Sequence, residues 1–356
     1  MTAAKTGWVN DPVFLKHRKL GHPERPERFR AIEDALDRSG LREALIPVPA
    51  RPAGEEEIRL VHHPGYIGMV KRTCERGGGQ LDPDTYVNRY SYDAAIRGTG
   101  GLIDLSGAIW MDEIQNGYAF VRPPGHHAMP DRAMGFCLFN HVAIAAEALL
   151  QKRGADRIAI VDADVHHGNG TQAVFESNAS VLYASTHQSP HYPGTGRKEE
   201  TGAHGTVLNI PLPSGAGDRA VLSCYESLVL PKLSAFRPQM IFVSAGYDTH
   251  WRDPLAGLQL SCAAQARVAD MLCRAASEMC SGKIVFTLEG GYDPEVLLHG
   301  VLNTLRALQG REDFSDPVGT SPVDPPVDQR LIDDLRVLHG LKRSEKETSD
   351  ALRTDA

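Results

Sequence analysis

The 356-residue chain has no stretch approaching the ~18 consecutive apolar residues of a membrane-spanning helix. Its opening, MTAAKTGWVNDP, lacks the apolar core of a secretory signal. Its six cysteines (Cys74, Cys137, Cys224, Cys262, Cys273 and Cys280) form no CxxC pair, and several fall in apolar stretches. They read as buried free thiols rather than a disulfide framework. Together these absences point to a reducing, cytoplasmic setting. Positive charge is also in short supply: 38 Lys plus Arg stand against 45 Asp plus Glu, a formal net charge of −7. That balance argues against a general nucleic-acid or anionic-membrane binder. No solenoid-type repeat is visible.

What is present is an alternation. Between Gly117 and Gly310, short apolar runs alternate with amphipathic stretches. The runs are Tyr118–Val121, Arg157–Val161, Val181–Ser185, Val207–Ile210, Met240–Val243 and Ile284–Leu288. Most are apolar on successive positions, as strands buried on both faces are. The stretches between them predict helices over Asn140–Lys152, Asp218–Phe236, Ser261–Met279 and Pro294–Leu308. Strands alternating with helices specify βαβ units and a parallel sheet. The first hundred residues lean helical over Arg28–Ser39 and Glu55–Val61, with a loop expected over Gly77–Gly79 and then Leu81–Tyr92. From Arg311 the composition turns Pro-rich, as in an extended strap. Gln329–His339 reads as one short helix, and the charged residues from Lys342 as a frayed tail.

Each unusual polar cluster follows one of the apolar runs. Arg122-Pro-Pro-Gly-His126-His127 follows the first, Asp162-Ala-Asp164-Val-His166-His167-Gly-Asn169 the second, and Thr186-His187 the third. Ser244-Ala-Gly-Tyr-Asp248 and Glu289-Gly290-Gly-Tyr292 follow two more. Loops leaving the carboxyl ends of parallel strands converge on one edge, where ligands bind, so all five clusters are expected to face one crevice. Asp164-x-His166 places a carboxylate and an imidazole on one side of the chain, and Asp248 is the candidate third ligand. Two carboxylates and one imidazole hold a divalent ion with a position open to water. Zinc suits them best, with ferrous iron or manganese as alternatives. His126-His127 offers two bases whose partners, Asp162 and Asn169, set them apart. Tyr292 would present a phenol donor to a polarised carbonyl. Phe136 and Tyr192 could line a narrow apolar tube. His62-His63 reads as surface decoration, and His17, His141, His204, His299 and His339 as core or surface residues.

The segments RPPGHHA (122–128), GFCLFN (135–140), DADVHHGNGTQ (162–172), PGTG (193–196), SAGYD with DPLAG (244–257) and LEGGY (288–292) resemble the histone deacetylase superfamily, as does HPERPERFRAI (22–32). That superfamily includes acetylpolyamine amidohydrolases and acetoin-utilisation proteins. The DVHHGNGTQ and LEGGY forms resemble its class II branch, as in many bacterial deacetylase-like proteins. The resemblance implies an α/β arginase–deacetylase fold: a central, mostly parallel sheet with helices on both faces, in a single domain. Residues 1–310 would form that domain and 311–356 a C-terminal extension. It implies one catalytic zinc on Asp164, His166 and Asp248, with His126 and His127 for acid–base work and Asp162 behind His126. Asn169 stands behind His127 where class I relatives have aspartate, which leaves the roles within the pair open. Tyr292 matches the carbonyl-polarising tyrosine, and Phe136 and Tyr192 the walls of an acyl-lysine tunnel, with Gly135 and Gly290 beside it. Asp84 matches a rim contact to the substrate backbone. Leu255 stands where polyamine-selective relatives carry a carboxylate. One or two structural potassium ions are implied. One would draw on Asp162, the carbonyls of Asp164 and His166, Ser185 and Thr186; a second would lie near Phe175, Asn178 and Val181. The implied activity is hydrolysis of an N-acetyl amide, with acetyl-lysine of a protein or peptide ahead of an acetylated polyamine. An arginase-like ureohydrolase or a degenerate acetyl-group binder stands further back. Nucleic acid and membrane are not expected partners, and homo-oligomerisation stays open.

Overall fold

The computed structural model describes residues 5–342. Its strands, in chain order, are β1 (Thr6–Val9), β2 (Leu45–Val48), β3 (Gly78–Gln80), β4 (Tyr86–Asn88), β5 (Asn116–Ala119), β6 (Ile158–Asp162), β7 (Val181–Gln188), β8 (Val207–Leu212), β9 (Met240–Ala245) and β10 (Ile284–Leu288). Eight of them form one sheet in the order β2-β1-β5-β10-β9-β6-β7-β8. Every neighbouring pair in it is parallel. β3 and β4 form a separate antiparallel ribbon inside the segment expected to be a loop. Every residue of β6, β7, β9 and β10 is buried, which is why their leading residues read as apolar runs. Helices Ser91–Trp110 and His141–Arg153 pack together on one face; Cys262–Cys280 and Pro294–Leu308 pack together on the other. No helix of the described residues is long and apolar enough to cross a membrane.

The helix ends are set by their caps. Asn140 accepts from the Ala143 amide and Ser261 from that of Ala264. Asp293 accepts from Glu295 and Val296. Each satisfies amides that an uncapped first turn would leave open. The predicted helix over Asp218–Phe236 is present but widens into a π-turn at Tyr225–Val229. Helix Ser91–Trp110 escapes sequence reading because its four glycines weaken its intrinsic helix preference. Packing explains one of them: a methyl at Gly100 would collide with the backbone of Arg51 and Ala53. Strands β1 and β2 were also not anticipated, being four residues each and unremarkable in composition.

Two expectations need correction. β7 runs on to Gln188, so Thr186 and His187 lie within the strand rather than beyond it. His62 is not surface decoration: it is 1% exposed, its Nδ1 is 3.0 Å from the Met129 carbonyl, and its Nε2 accepts from the Asn140 amide. His63 is exposed. The Pro-rich segment lies against the chain's own body. Asn303 donates to the Ser315 carbonyl, and the Trp251 indole to that of Gly319. Helix Gln329–His339 then buries Ile332 and Leu335. Residues 343–356, most of the expected tail, lie outside the described residues.

A buried ionic knot ties the amino-terminal segment to the end of β10. Glu24 accepts from Arg122 (2.6 Å from Nη2, plus a second contact from Nε) and from Arg28 Nη1 at 3.1 Å. Arg28 also donates to the carbonyls of Gly291 at 2.7 Å and Glu289 at 2.8 Å. All three side chains are at most 1% exposed. Burial alone would push the Glu24 carboxyl up; Arg122 and the His17 hydrogen bond outweigh it and hold the group well below its ordinary 4.5. A carboxyl more acidic in the folded than in the unfolded chain stabilises the fold. That stabilisation is whole above pH 4.5 and is lost as pH falls through the folded-state value. Replacing Glu24 with Ala strands two buried guanidiniums and should cost ~3–5 kcal/mol in urea unfolding at pH 7. Glu24→Gln should flatten the loss of stability below pH 4.5 relative to the parent.

Candidate active site

The carboxyl ends of β5, β6, β9 and β10 deliver their loops to one cavity of ≈ 210 Å³. β6 ends at Asp162 and leads into Asp164 and His166; β9 leads into Asp248, β10 into Gly290 and Tyr292, and β5 into His126 and His127. β7 contributes differently from expectation. Thr186 lines a separate internal cavity, and His187 is buried against His167. The loop after β7 supplies His191 and Tyr192 to the active cavity instead.

Asp164, His166 and Asp248 each point one ligand atom into a space in which those atoms lie within 4.8 Å of one another. His166 Nδ1 is 3.0 Å from Asp164 Oδ1 and 3.4 Å from Asp248 Oδ2. Backbone amides fix both carboxylates: Gly290 N donates to Asp164 Oδ2 at 2.8 Å, and Val165 N to Asp248 Oδ1 at 3.0 Å. Asp248 Oδ2 is fully buried with no hydrogen-bond partner. A buried carboxylate oxygen left unsatisfied is unfavourable unless a cation meets it. Burial pulls the His166 imidazole down, yet the neighbouring carboxylates of Asp164 and Asp248 raise it to about 10. Oxygen and nitrogen donors of this kind suit a borderline divalent ion such as zinc. A second cluster, His126, Cys137 and Glu289, also brings its candidate atoms within 4.8 Å of one another but is already satisfied. Glu289 accepts from the Gly125 and His126 amides and from Ser244, and Cys137 Sγ contacts the Gly135 carbonyl.

The adjacent imidazoles differ in environment. His126 Nδ1 lies 3.1 Å from Asp162 Oδ2, and His127 Nδ1 lies 2.8 Å from Asn169 Oδ1. Burial disfavours charge on both. For His126, the carboxylates of Asp162, Asp164 and Glu289 overcome it and lift the group well above 6.5. For His127, burial is reinforced by His126 and His166, and the group falls well below 6.5. The two rings are thus pushed in opposite directions, His126 toward its cationic form and His127 toward its neutral one. Across the cavity, Tyr292 sits on a turn held by two anchors. Its amide donates to Asp253 at 2.7 Å, and the Arg28 guanidinium lies 4.8 Å from its ring centroid.

Phe136, Tyr192, Leu255, Gly135, Gly290 and Asp84 all line the cavity. Phe136 meets Tyr292 edge-on, and Tyr192 meets His127 edge-on. Gly135 adopts φ +57°, and a methyl there would collide with the His127 ring. Asp162 and Ser185 are register partners on β6 and β7, but Ser185 Oγ is 2.9 Å from His187 Nδ1. Phe175, Asn178 and Val181 lie at the amino end of β7, where the Phe175 and Asn178 carbonyls accept amides within their own turn.

Sequence reading missed three contributors. His191 stacks on His166 with centroids 5.0 Å apart and lies 3.1 Å from the Leu255 carbonyl. Asp253 accepts from both Tyr292 and Leu255, coupling the tyrosine turn to the rim. Glu289 pins the turn that carries the imidazole pair. Only their adjacency to recognised residues hinted at them. A methyl at Gly290 would collide with the carboxylates of both Asp248 and Asp164. Gly290→Ala should therefore lose bound divalent metal, measured by elemental analysis, while circular dichroism stays that of the parent.

Residues 22–308 match the family model of the histone deacetylase domain. The chain is 36% identical to histone deacetylase 10, chloroplastic, of Oryza sativa subsp. japonica, over 92% of this chain and 79% of that one. It is 38% identical to the histone deacetylase-like amidohydrolase of Pseudomonas aeruginosa, over 89% of this chain and 84% of that one. The crystal structure of the HDA15 HD domain matches with a TM-score of 0.86 at 35% identity, covering 94% of this chain and 96% of the other. With its parallel sheet and the cavity at the strand ends, the chain belongs to the histone deacetylase family.

Proposed function

We propose that the chain is a zinc-dependent deacetylase that hydrolyses the N-acetyl amide of acetyl-lysine in a protein or peptide, releasing acetate. The observation that carries this reading is the unpartnered, buried Oδ2 of Asp248 beside Asp164 and His166, at a cavity that also receives two imidazoles and a phenol. Asp164, His166 and Asp248 would hold the zinc, which supplies Lewis acidity to the acetyl carbonyl and acidifies a water. His127 takes that water's proton at Nε2, because its Nδ1–H is committed to Asn169. The water oxygen adds to the carbonyl carbon. The carbon–nitrogen bond then breaks as His127 returns a proton to the departing amine. His126, backed by Asp162, gives electrostatic support. Tyr292 donates a hydrogen bond to the carbonyl oxygen as it gains charge. Phe136 and Tyr192 flank the acyl-lysine stem, Asp84 meets the substrate backbone at the rim, and Gly135 and Gly290 leave room for close approach.

Leu255 at the rim supports peptide over polyamine, since it offers no carboxylate to a second amine. Asn169 behind His127 supports the class II assignment. Six free cysteines, five of them buried, support a reducing, cytoplasmic setting. A structural potassium ion on Asp162, the carbonyls of Asp164 and His166, Ser185 and Thr186 belongs to the same reading. The buried register pairing of Asp162 with Ser185 supports it; a second ion would sit near Phe175, Asn178 and Val181.

The test uses purified protein and an acetyl-lysine peptide. Tyr292→Phe should lower kcat by a factor on the order of 10²–10³, and His127→Ala by a factor on the order of 10²–10⁴. Chelation should abolish turnover and zinc restore it. Full turnover by either variant would contradict the assigned roles. In competition, acetyl-lysine peptide should outrun N-acetylspermidine, and the reverse order would transfer the assignment to polyamines.

A further inference from the structure

Asn169 presents a problem that an aspartate in its place would not. A carboxylate is symmetric, but an amide can turn over and offer its NH₂ to His127 in place of its oxygen. In the observed orientation Asn169 Oδ1 is 2.8 Å from His127 Nδ1, so Nδ1 carries the proton and Nε2 keeps its lone pair. A turned amide would face N–H against N–H. Relief would move the proton to Nε2 and leave the ring unable to accept one there. A further feature is needed to select the productive orientation.

That feature lies on the opposite side of the amide. Asn169 Nδ2 is 3.2 Å from Met129 Sδ and 3.3 Å from Met134 Sδ, with the His127 carbonyl at 3.5 Å. Thioether sulfur accepts weakly and donates nothing. It therefore welcomes the NH₂ and disfavours the amide oxygen. The backbone of each methionine is held by hydrogen bonds. The Met129 amide donates to the Arg132 carbonyl, and the Met129 carbonyl is 3.0 Å from His62 Nδ1. The Met134 carbonyl accepts from the Cys137 amide. The two sulfurs thus form an acceptor-only pocket for one end of one amide.

We infer that Met129 and Met134 are positioning residues: their sulfurs hold the Asn169 amide in the orientation that keeps His127 in its Nδ1–H tautomer. The inference rests on the proposed role of His127 as the proton-transferring base. It places nothing on the substrate; the methionines act through Asn169.

A double-mutant cycle tests it. Met129→Leu with Met134→Leu keeps apolar bulk but removes both acceptors. In the Asn169 parent, the pair should lower kcat roughly three- to tenfold, in keeping with loss of one or two weak hydrogen bonds, with KM unchanged. In an Asn169→Asp background, where no amide needs orienting, the same pair should change kcat by less than about twofold. Equal loss in both backgrounds would show that the methionines act by packing alone, and no loss in either would overturn the inference outright. Imidazole ¹⁵N NMR gives a readout independent of turnover, should Asn169→Asp be inactive. His127 should be Nδ1–H in the parent and a mixture of tautomers in the double leucine variant. An unchanged tautomer would overturn the inference. Activity surviving in His127→Ala would instead remove the reading beneath it, which separates the two failures.

Discussion

Two carboxylates held out of water at the end of a parallel sheet require a positive charge between them. Asp164 and Asp248 are both 0% exposed, are aimed at each other by backbone amides from neighbouring loops, and retain one oxygen with no partner. Left unpaired, such a pair is strongly unfavourable. The rest of the cavity is organised around this demand. Gly290 lacks a side chain because both carboxylates occupy the space one would fill. His166 completes the donor set from the same turn as Asp164. The two imidazoles behind it are pulled in opposite directions by unlike partners, a carboxylate for His126 and an amide for His127.

Parallel topology makes the convergence possible. β10, β9 and β6 are adjacent, so Gly290, Asp248 and Asp164 leave neighbouring strand ends although they are far apart in sequence. The amino-terminal segment contributes through the Glu24–Arg28–Arg122 knot, which fastens the backbone of Glu289 and Gly291 and hence the turn bearing Tyr292. Asp253 fastens the same turn from the other side. The loops around the cavity are thus kept rigid by buried charge and by hydrogen bonds from outside it.

Sequence legibility follows physical contrast. The central strands were readable because burial on both faces forces unbroken apolar runs, and the polar residues that end those runs stand out against them. Asp164, His166 and Asp248, the imidazole pair and the phenol all fall at such boundaries. Thr186-His187 fell at an apparent boundary too, yet β7 continues through it, because a strand buried on all sides can carry polar residues that pair internally. The glycine-bearing helix Ser91–Trp110 was hidden because its glycines answer to tertiary packing rather than to local preference. His191, Asp253 and the two methionines act through contacts between distant segments, such as Asp253 with Tyr292, and no spacing in the chain records such contacts.

Anomalous diffraction at the zinc edge, on crystals of the zinc-loaded protein, measures the central claim most directly. One peak per chain is expected, bounded by Asp164 Oδ, His166 Nδ1 and the otherwise unpartnered Asp248 Oδ2. A peak among His126, Cys137 and Glu289, a pair of peaks in the cavity, or an unoccupied Asp164–His166–Asp248 trio would contradict it.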